Sequence, residues 1–242
     1  MTPPVIIIGA HRSGTSATAR ALELLGLQIG QRLDSHRESR VLQQVHDAYL
    51  RRVGATWSDP KAFLQRMQTP EGKRDCSDYL RSNFKAHFSK TFGYRNNPKG
   101  WWLRLRLKLG APWGWKEPRT TLFGPAWLEV FPEARIVHVM RDPLAAAESI
   151  RERELKFQAA GDLPTPNLSD RTYCRELVEL YLRAGEQLAS LPNYYRLQFE
   201  ELQANPPAML EQLAKFCRLK ATTGKLAKAA ASIRPARVRS AL

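Results

Sequence analysis

Residues 4–16 read PVIIIGAHRSGTS, and no other stretch constrains the fold as much. The β-branched run from Val5 to Ile8 suits a buried strand. It stops at Gly9 and gives way to a turn rich in glycine, arginine and hydroxyls. Gly9 and Gly14 have the spacing of the two glycines of a phosphate-binding loop, and residues 15–25 read as a helix. Backbone N–H groups and a helix N-terminus are therefore expected to point at a bound phosphate. Nucleoside triphosphate loops place a lysine directly after the second glycine. Here Thr15 stands there, and the cation of the loop is Arg12. The loop is expected to take a phosphate-bearing ligand other than ATP.

Further strands are expected over 113–116, 135–140 and 194–199, with the first over 5–9. Helical spacing marks 38–53 (Leu42, Val45, Tyr49, Val53), the series Tyr173, Leu177, Leu180, Ala184 and Leu188, and 207–216. Gly, Pro and Asn mark 92–100 and 159–169 as loops. Strands alternating with helices predict an α/β fold of three layers, a central parallel sheet with helices on both faces. With 242 residues, 43% of them apolar, the chain is expected to form one domain with a sizeable core, ending in a basic helix or tail over 220–242.

Lys and Arg number 38 against 23 Asp and Glu, a net charge of +15, which calls for an anionic partner. Cys76, Cys174 and Cys217 are odd in number and far apart, so neither a disulfide framework nor metal-ligand spacing is expected. With no signal-like or membrane-spanning apolar stretch read at the start, the expected location is cytoplasmic.

The stretch Arg12-Ser13-Gly14-Thr15-Ser16 resembles the first donor-binding loop of sulfotransferases that use 3′-phosphoadenosine 5′-phosphosulfate. Three further segments extend the resemblance across about residues 4–217, most closely to the bacterial and tyrosylprotein-like branches. RIVHVM is followed by Arg141-Asp142-Pro143, with Ser149 eight residues after Arg141, as in the family's 3′-phosphate motif. Lys116-Glu117-Pro118-Arg119 is similar to the family's Lys-Asp-Pro-Arg element, with Glu in place of Asp. RLQFEEL places Phe199 where relatives often carry Tyr.

The resemblance implies a phosphate-binding-loop α/β sulfotransferase fold, the phosphosulfate nucleotide as donor, and no metal. It assigns Arg12, Ser13, Gly14, Thr15 and Ser16 to the 5′-phosphate and Arg141 and Ser149 to the 3′-phosphate. Arg12 and Lys116 are expected to stabilise charge in the transition state. Glu38 matches the base of the tyrosylprotein-like branch, while His36, His46 and a purely structural Glu38, capped from Ser35 in an S-x-x-E box, are alternatives. Arg119 is expected either on the ligand or on a carboxylate. Arg32, Arg37 and Arg40 crowd the Glu38 segment. A C-terminal glycine-rich donor loop is absent, and Arg234, Arg237 and Arg239 are the cations in its place. The expected acceptor group is a hydroxyl or amine on an unidentified molecule, with carbohydrate, lipid, peptide and small molecule all open, an anionic glycan or lipid among them.

Residues 100–110, GWWLRLRLKLG, are not explained by the resemblance. Leu103, Leu105, Leu107 and Leu109 alternate with Arg104, Arg106 and Lys108, which as a strand gives one apolar and one cationic face; a helix is the other reading. Peripheral contact with an anionic membrane fits this segment. A kinase-like nucleotide enzyme lacks its lysine, and a nucleic-acid-binding protein, the weaker partner class, leaves the loop chemistry unused.

Overall fold

A computed structural model of the chain describes residues 2–30, 33–92 and 98–235. In chain order the elements are β1 (Val5–Ile8), α1 (Thr15–Leu25), α2 (Arg40–Arg52), α3 (Lys61–Arg66), α4 (Pro70–Thr91) and α5 (Pro98–Lys108). There follow β2 (Gly114–Lys116), a 3-10 turn (Pro118–Thr121), α6 (Gly124–Val130), β3 (Arg135–Met140), α7 (Pro143–Ala159) and α8 (Arg171–Glu186). The last elements are β4 (Tyr194–Gln198), α9 (Phe199–Ala204), α10 (Pro206–Phe216) and α11 (Thr223–Ala231).

Among the described residues the sheet has four strands in the order β2-β1-β3-β4, all parallel. Each expected strand is present to within a residue at either end. Parallel strands need both faces covered, and alternate residues of the sheet divide between two cores. Ile6, Ile8 and Ile136 face one, filled from α2, α4, α6, α7 and α8; Val5, Ile7, Val137, Val139 and Leu197 face the other, filled from α1, α10 and α11. The three-layer expectation holds.

Two local readings are corrected. Residues 98–108 are helix, which takes the helical alternative for the leucine segment and corrects the loop expected over 98–100; Leu103 and Leu107 are buried, Leu105 and Leu109 exposed. Helix α2 starts at Arg40 with Ser39 as its cap, accepting from the Leu42 N–H, so Ser35 caps nothing and Glu38 lies before the helix. Residues 93–97 of the expected 92–100 loop fall outside the described residues. No described helix is long and apolar enough to cross a membrane, and all three cysteines are buried thiols.

Candidate functional site

Parallel sheets offer their ligand crevice at the carboxyl ends of the strands. At that edge β1 leads into the loop 9–14, β2 into Lys116–Arg119 and β3 into Arg141–Asp142. Gly14 caps α1 with φ +95°, and a Cβ there would lie 2.2 Å from the Phe199 ring. Only glycine meets both conditions. Thr121 pins the other end of the loop: its hydroxyl accepts from the Gly9 N–H at 2.9 Å and lies 3.1 Å from the Gly9 carbonyl. Arg12 itself adopts φ +67°, an uncommon conformation for a residue with a Cβ.

Three residues expected at the donor site converge here. Arg12 Nε donates to Ser149 Oγ at 3.0 Å, and Arg141 donates to the Arg12 carbonyl at 2.9 Å. Asp142 caps α7 through the Ala145 N–H at 2.7 Å, which sets where Ser149 falls on the second turn. Arg12, Gly14, Thr15, Ser16 and Arg141 line a cleft of about 350 Å³ together with Glu38. Arg12, Arg141 and Ser149 also line an adjoining one of about 690 Å³. Arg234 borders both, while Arg237 and Arg239 lie outside the described residues.

Ser13 departs from its expected place. Its hydroxyl donates to the Ala10 carbonyl at 2.7 Å and its N–H to the same oxygen at 3.2 Å, so the side chain braces the loop from within and does not line the cleft. The amides opening α1 have no partner inside the helix, which leaves Thr15 and Ser16 as the residues offering donors at its N-terminus.

Lys116 is neither a solvated strand-end lysine nor a wall of the cleft. It is 1% exposed, and its ammonium donates to Glu38 Oε1 at 2.8 Å. Burial lowers its pKa, and the Glu38 carboxylate partly opposes that. Glu38 Oε2 also accepts from Gln43 at 2.6 Å. Asp34 folds the segment by accepting the N–H groups of His36 and Glu38, each at 2.8 Å. His36 is exposed at the cleft rim. Arg37 pairs with Glu23, Arg40 is exposed, and Arg32 lies outside the described residues.

Of the remaining Lys-Glu-Pro-Arg element, Pro118 lines the cleft, whereas Glu117 and Arg119 serve the structure. Glu117 is buried between His46 Nδ1 at 2.5 Å and Arg119 at 2.6 Å, and Arg119 pairs with Asp47 at 2.7 Å. Burial alone raises the Glu117 pKa, but Arg119 and His46 outweigh it and hold the carboxyl well below its usual range. Trp127 donates to His46 Nε2 at 3.0 Å, so the ring proton sits on Nδ1 and His46 is not free to act as a base. Arg119 thus lies on carboxylates, the second of its two expected positions.

Sequence reasoning missed two residues at the cleft. His11 is 7% exposed, with Nε2 unpartnered among the described residues and its ring 4.4 Å from that of Trp57. Burial, then Arg119 and Arg153, lowers its pKa well below that of a free imidazole. Arg153 lines the cleft over the rings of Trp57 and Phe157 and makes no ion pair among the described residues. Its position one helical turn after Ser149 was the available signal.

The model of the Sulfotransferase family matches residues 3–223. The chain belongs to this family. A segment of 90 residues is 32% identical to omega-hydroxy-beta-dihydromenaquinone-9 sulfotransferase Stf3 of Mycobacterium bovis and of Mycobacterium tuberculosis, covering 36% of this chain but 23% of those proteins. Among solved structures, sulfotransferase STF9 of Mycobacterium avium is 18% identical with a TM-score of 0.50, over 93% of this chain and 66% of that one. The sulfotransferase domain of the Synechococcus PCC 7002 olefin synthase is 14% identical with a TM-score of 0.50, over 93% and 76%. These two likenesses concern the fold.

Proposed function

We propose that this sulfotransferase-family chain moves a sulfuryl group from 3′-phosphoadenosine 5′-phosphosulfate to an acceptor hydroxyl or amine. One observation carries the reading: Arg12, Arg141 and Ser149, from two distant segments, meet through hydrogen bonds at one cleft. The lining suits such a donor. Neither Arg12 nor Arg141 has a carboxylate partner among the described residues, so two guanidinium groups are left to meet phosphate oxygens.

When bound, the donor supplies an SO₃ group on a phosphate leaving oxygen. Arg12 neutralises charge at the loop through its guanidinium. The amides of Gly14, Thr15 and Ser16 hold the 5′-phosphate, with Ser13 fixing the loop's shape. Arg141 and Ser149 select for the 3′-phosphate. Glu38, on the cleft wall, takes the acceptor proton; its carboxylate has lone pairs beyond those used by Lys116 and Gln43. Lys116 acts through Glu38, as a positioning residue. The mycobacterial relative is named for an omega-hydroxylated menaquinone, and a hydroxyl is the acceptor group we assign here, within the cytoplasm.

Calorimetry tests the donor site. 3′-Phosphoadenosine 5′-phosphate should bind without metal at least about tenfold more tightly than 5′-AMP or ATP, since a charge-assisted hydrogen bond contributes about 1.5–3 kcal/mol. Arg141→Ala should abolish that preference. Equal binding of the 3′-phosphorylated and unphosphorylated nucleotides would refute the assignment.

A further inference from the structure

Helix α5 has two apolar faces, and the fold uses one. At about 100° per residue, Leu103 and Leu107 share the side that packs into the core, where they are 7% and 1% exposed. Trp101, Trp102, Leu105 and Leu109 fall within an arc of about 100° on the opposite side. Leu109 lies just beyond the helix but continues its geometry, its N–H donating to the Leu105 carbonyl at 2.9 Å. These four are 68%, 62%, 46% and 76% exposed. Two adjacent tryptophans and two leucines in one stripe form a patch that a soluble surface seldom leaves without a use.

The surroundings of the stripe identify what it meets. Arg106 and Lys108 flank it, one on either side of the arc. A groove of about 440 Å³ continues from its C-terminal end, and Arg106, Leu109, Arg218, Lys220 and Lys225 line it with no acidic residue among the lining. None of these cations forms an ion pair among the described residues. The arrangement is that of an interfacial helix, apolar in the middle and cationic at the margins, with Trp suited to the boundary between headgroup and acyl chain. A polynucleotide would use the indole rings as stacking platforms but gives the leucines nothing to do.

We propose that this face docks on the surface of an anionic lipid bilayer. Trp101, Trp102, Leu105 and Leu109 enter the headgroup–acyl boundary, while Arg106, Arg218, Lys220 and Lys225 meet lipid phosphates. The groove lies beside Gly26, at the end of α1, and Gly110–Pro112, which lead into β2. That is the amino end of the strands, opposite the edge that carries Gly14 and Arg141. Docking there leaves the nucleotide cleft open to water.

Co-sedimentation of the full chain tests this, using phosphatidylcholine vesicles with and without phosphatidylglycerol over a range of salt. Binding should require the anionic lipid and weaken steeply with salt. Trp101→Ala/Leu109→Ala should lower the partition coefficient at least about tenfold, the loss expected for one well-buried large apolar side chain. Arg218→Gln/Lys220→Gln/Lys225→Gln should remove most of the salt dependence. Unchanged thermal unfolding and nucleotide binding in both variants would show that fold and cleft are intact. Absence of binding to anionic vesicles, binding indifferent to lipid charge, or polynucleotide binding lost in the same variants would each overturn the proposal. None of these outcomes depends on the donor assignment.

Discussion

Replacing Glu38 by Gln should separate what the carboxylate does for the fold from what it does for the reaction. The Lys116 side chain is 0% exposed and that of Glu38 11%, so the substitution strands an ammonium in the interior. Removing one partner of a buried pair costs about 3–5 kcal/mol. Glu38 keeps some contact with solvent, which favours the lower end. For a chain of this size about 3 kcal/mol corresponds to a fall in Tm of roughly 6–12 °C. Burial already lowers the Lys116 pKa, and in the variant only the weaker pull of Glu117 and Asp34 opposes that. Between the depressed folded value and the unfolded value near ~10.4, the unfolded chain binds more protons. Stability of the variant relative to wild type should therefore rise with pH between its own folded value and the less depressed wild-type one, above which both proteins respond alike. Adding Lys116→Met removes the stranded charge and should recover most of the loss, to within about 1 kcal/mol of wild type. Urea unfolding followed by circular dichroism at about pH 7 and about pH 9.5 measures all three terms. Sulfuryl transfer should be lost in the single and the double variant alike, because both lack the carboxylate. A single variant as stable as wild type, or a double variant no more stable than the single, would refute the reasoning.

Gly14→Ala should destabilise by about 2 kcal/mol or more, from the left-handed backbone and the Phe199 ring at 2.2 Å; an unchanged Tm would contradict this. Thr121→Val keeps the shape of the side chain but strands the N–H and carbonyl of Gly9, so a loss of about 2–3 kcal/mol and weaker nucleotide binding are expected from denaturation and calorimetry. His138 is fully buried, its pKa pushed down to about 4 by burial and then by Arg196. Its unfolded value is about 6.5, so between those values the unfolded chain binds more protons and stability is lost as pH falls, by up to about 3 kcal/mol. The stability difference between wild type and His138→Phe should shrink over the same window, and a pH-independent difference would count against the assignment.

How far the site could be read from the sequence depended on whether the contacts were local or distant. Gly9, Arg12, Gly14 and the start of α1 form one contiguous strand–loop–helix, so spacing alone located them. Arg141 and Ser149 lie on one turn and its helix, and it was the resemblance to the family's 3′-phosphate motif that gave their spacing its meaning. The Lys116–Glu38 pair was out of reach, because it joins residues 78 positions apart. A lone lysine after a strand reads the same whether its ammonium meets solvent or a carboxylate. The inward turn of the Ser13 hydroxyl is a similar case, since composition predicts a donor but not its direction. Helix α4 was missed although Cys76, Leu80, Phe84 and Phe88 recur every four residues and pack into the core. Charged and polar residues fill the intervals and dilute the signal.

Residues 101–109 show a different kind of failure. Alternating leucines satisfy a period of two, yet the same residues taken at a helical period also form two stripes, one inward and one outward. Periodicity assumes that a segment has a single apolar face, and it misassigns any helix that has two. The second face stabilises nothing in the fold, since Trp101, Trp102 and Leu109 are all more than half exposed. The ambiguity in the pattern and the membrane-facing role proposed for α5 therefore share one cause: the outward stripe serves a surface beyond the chain.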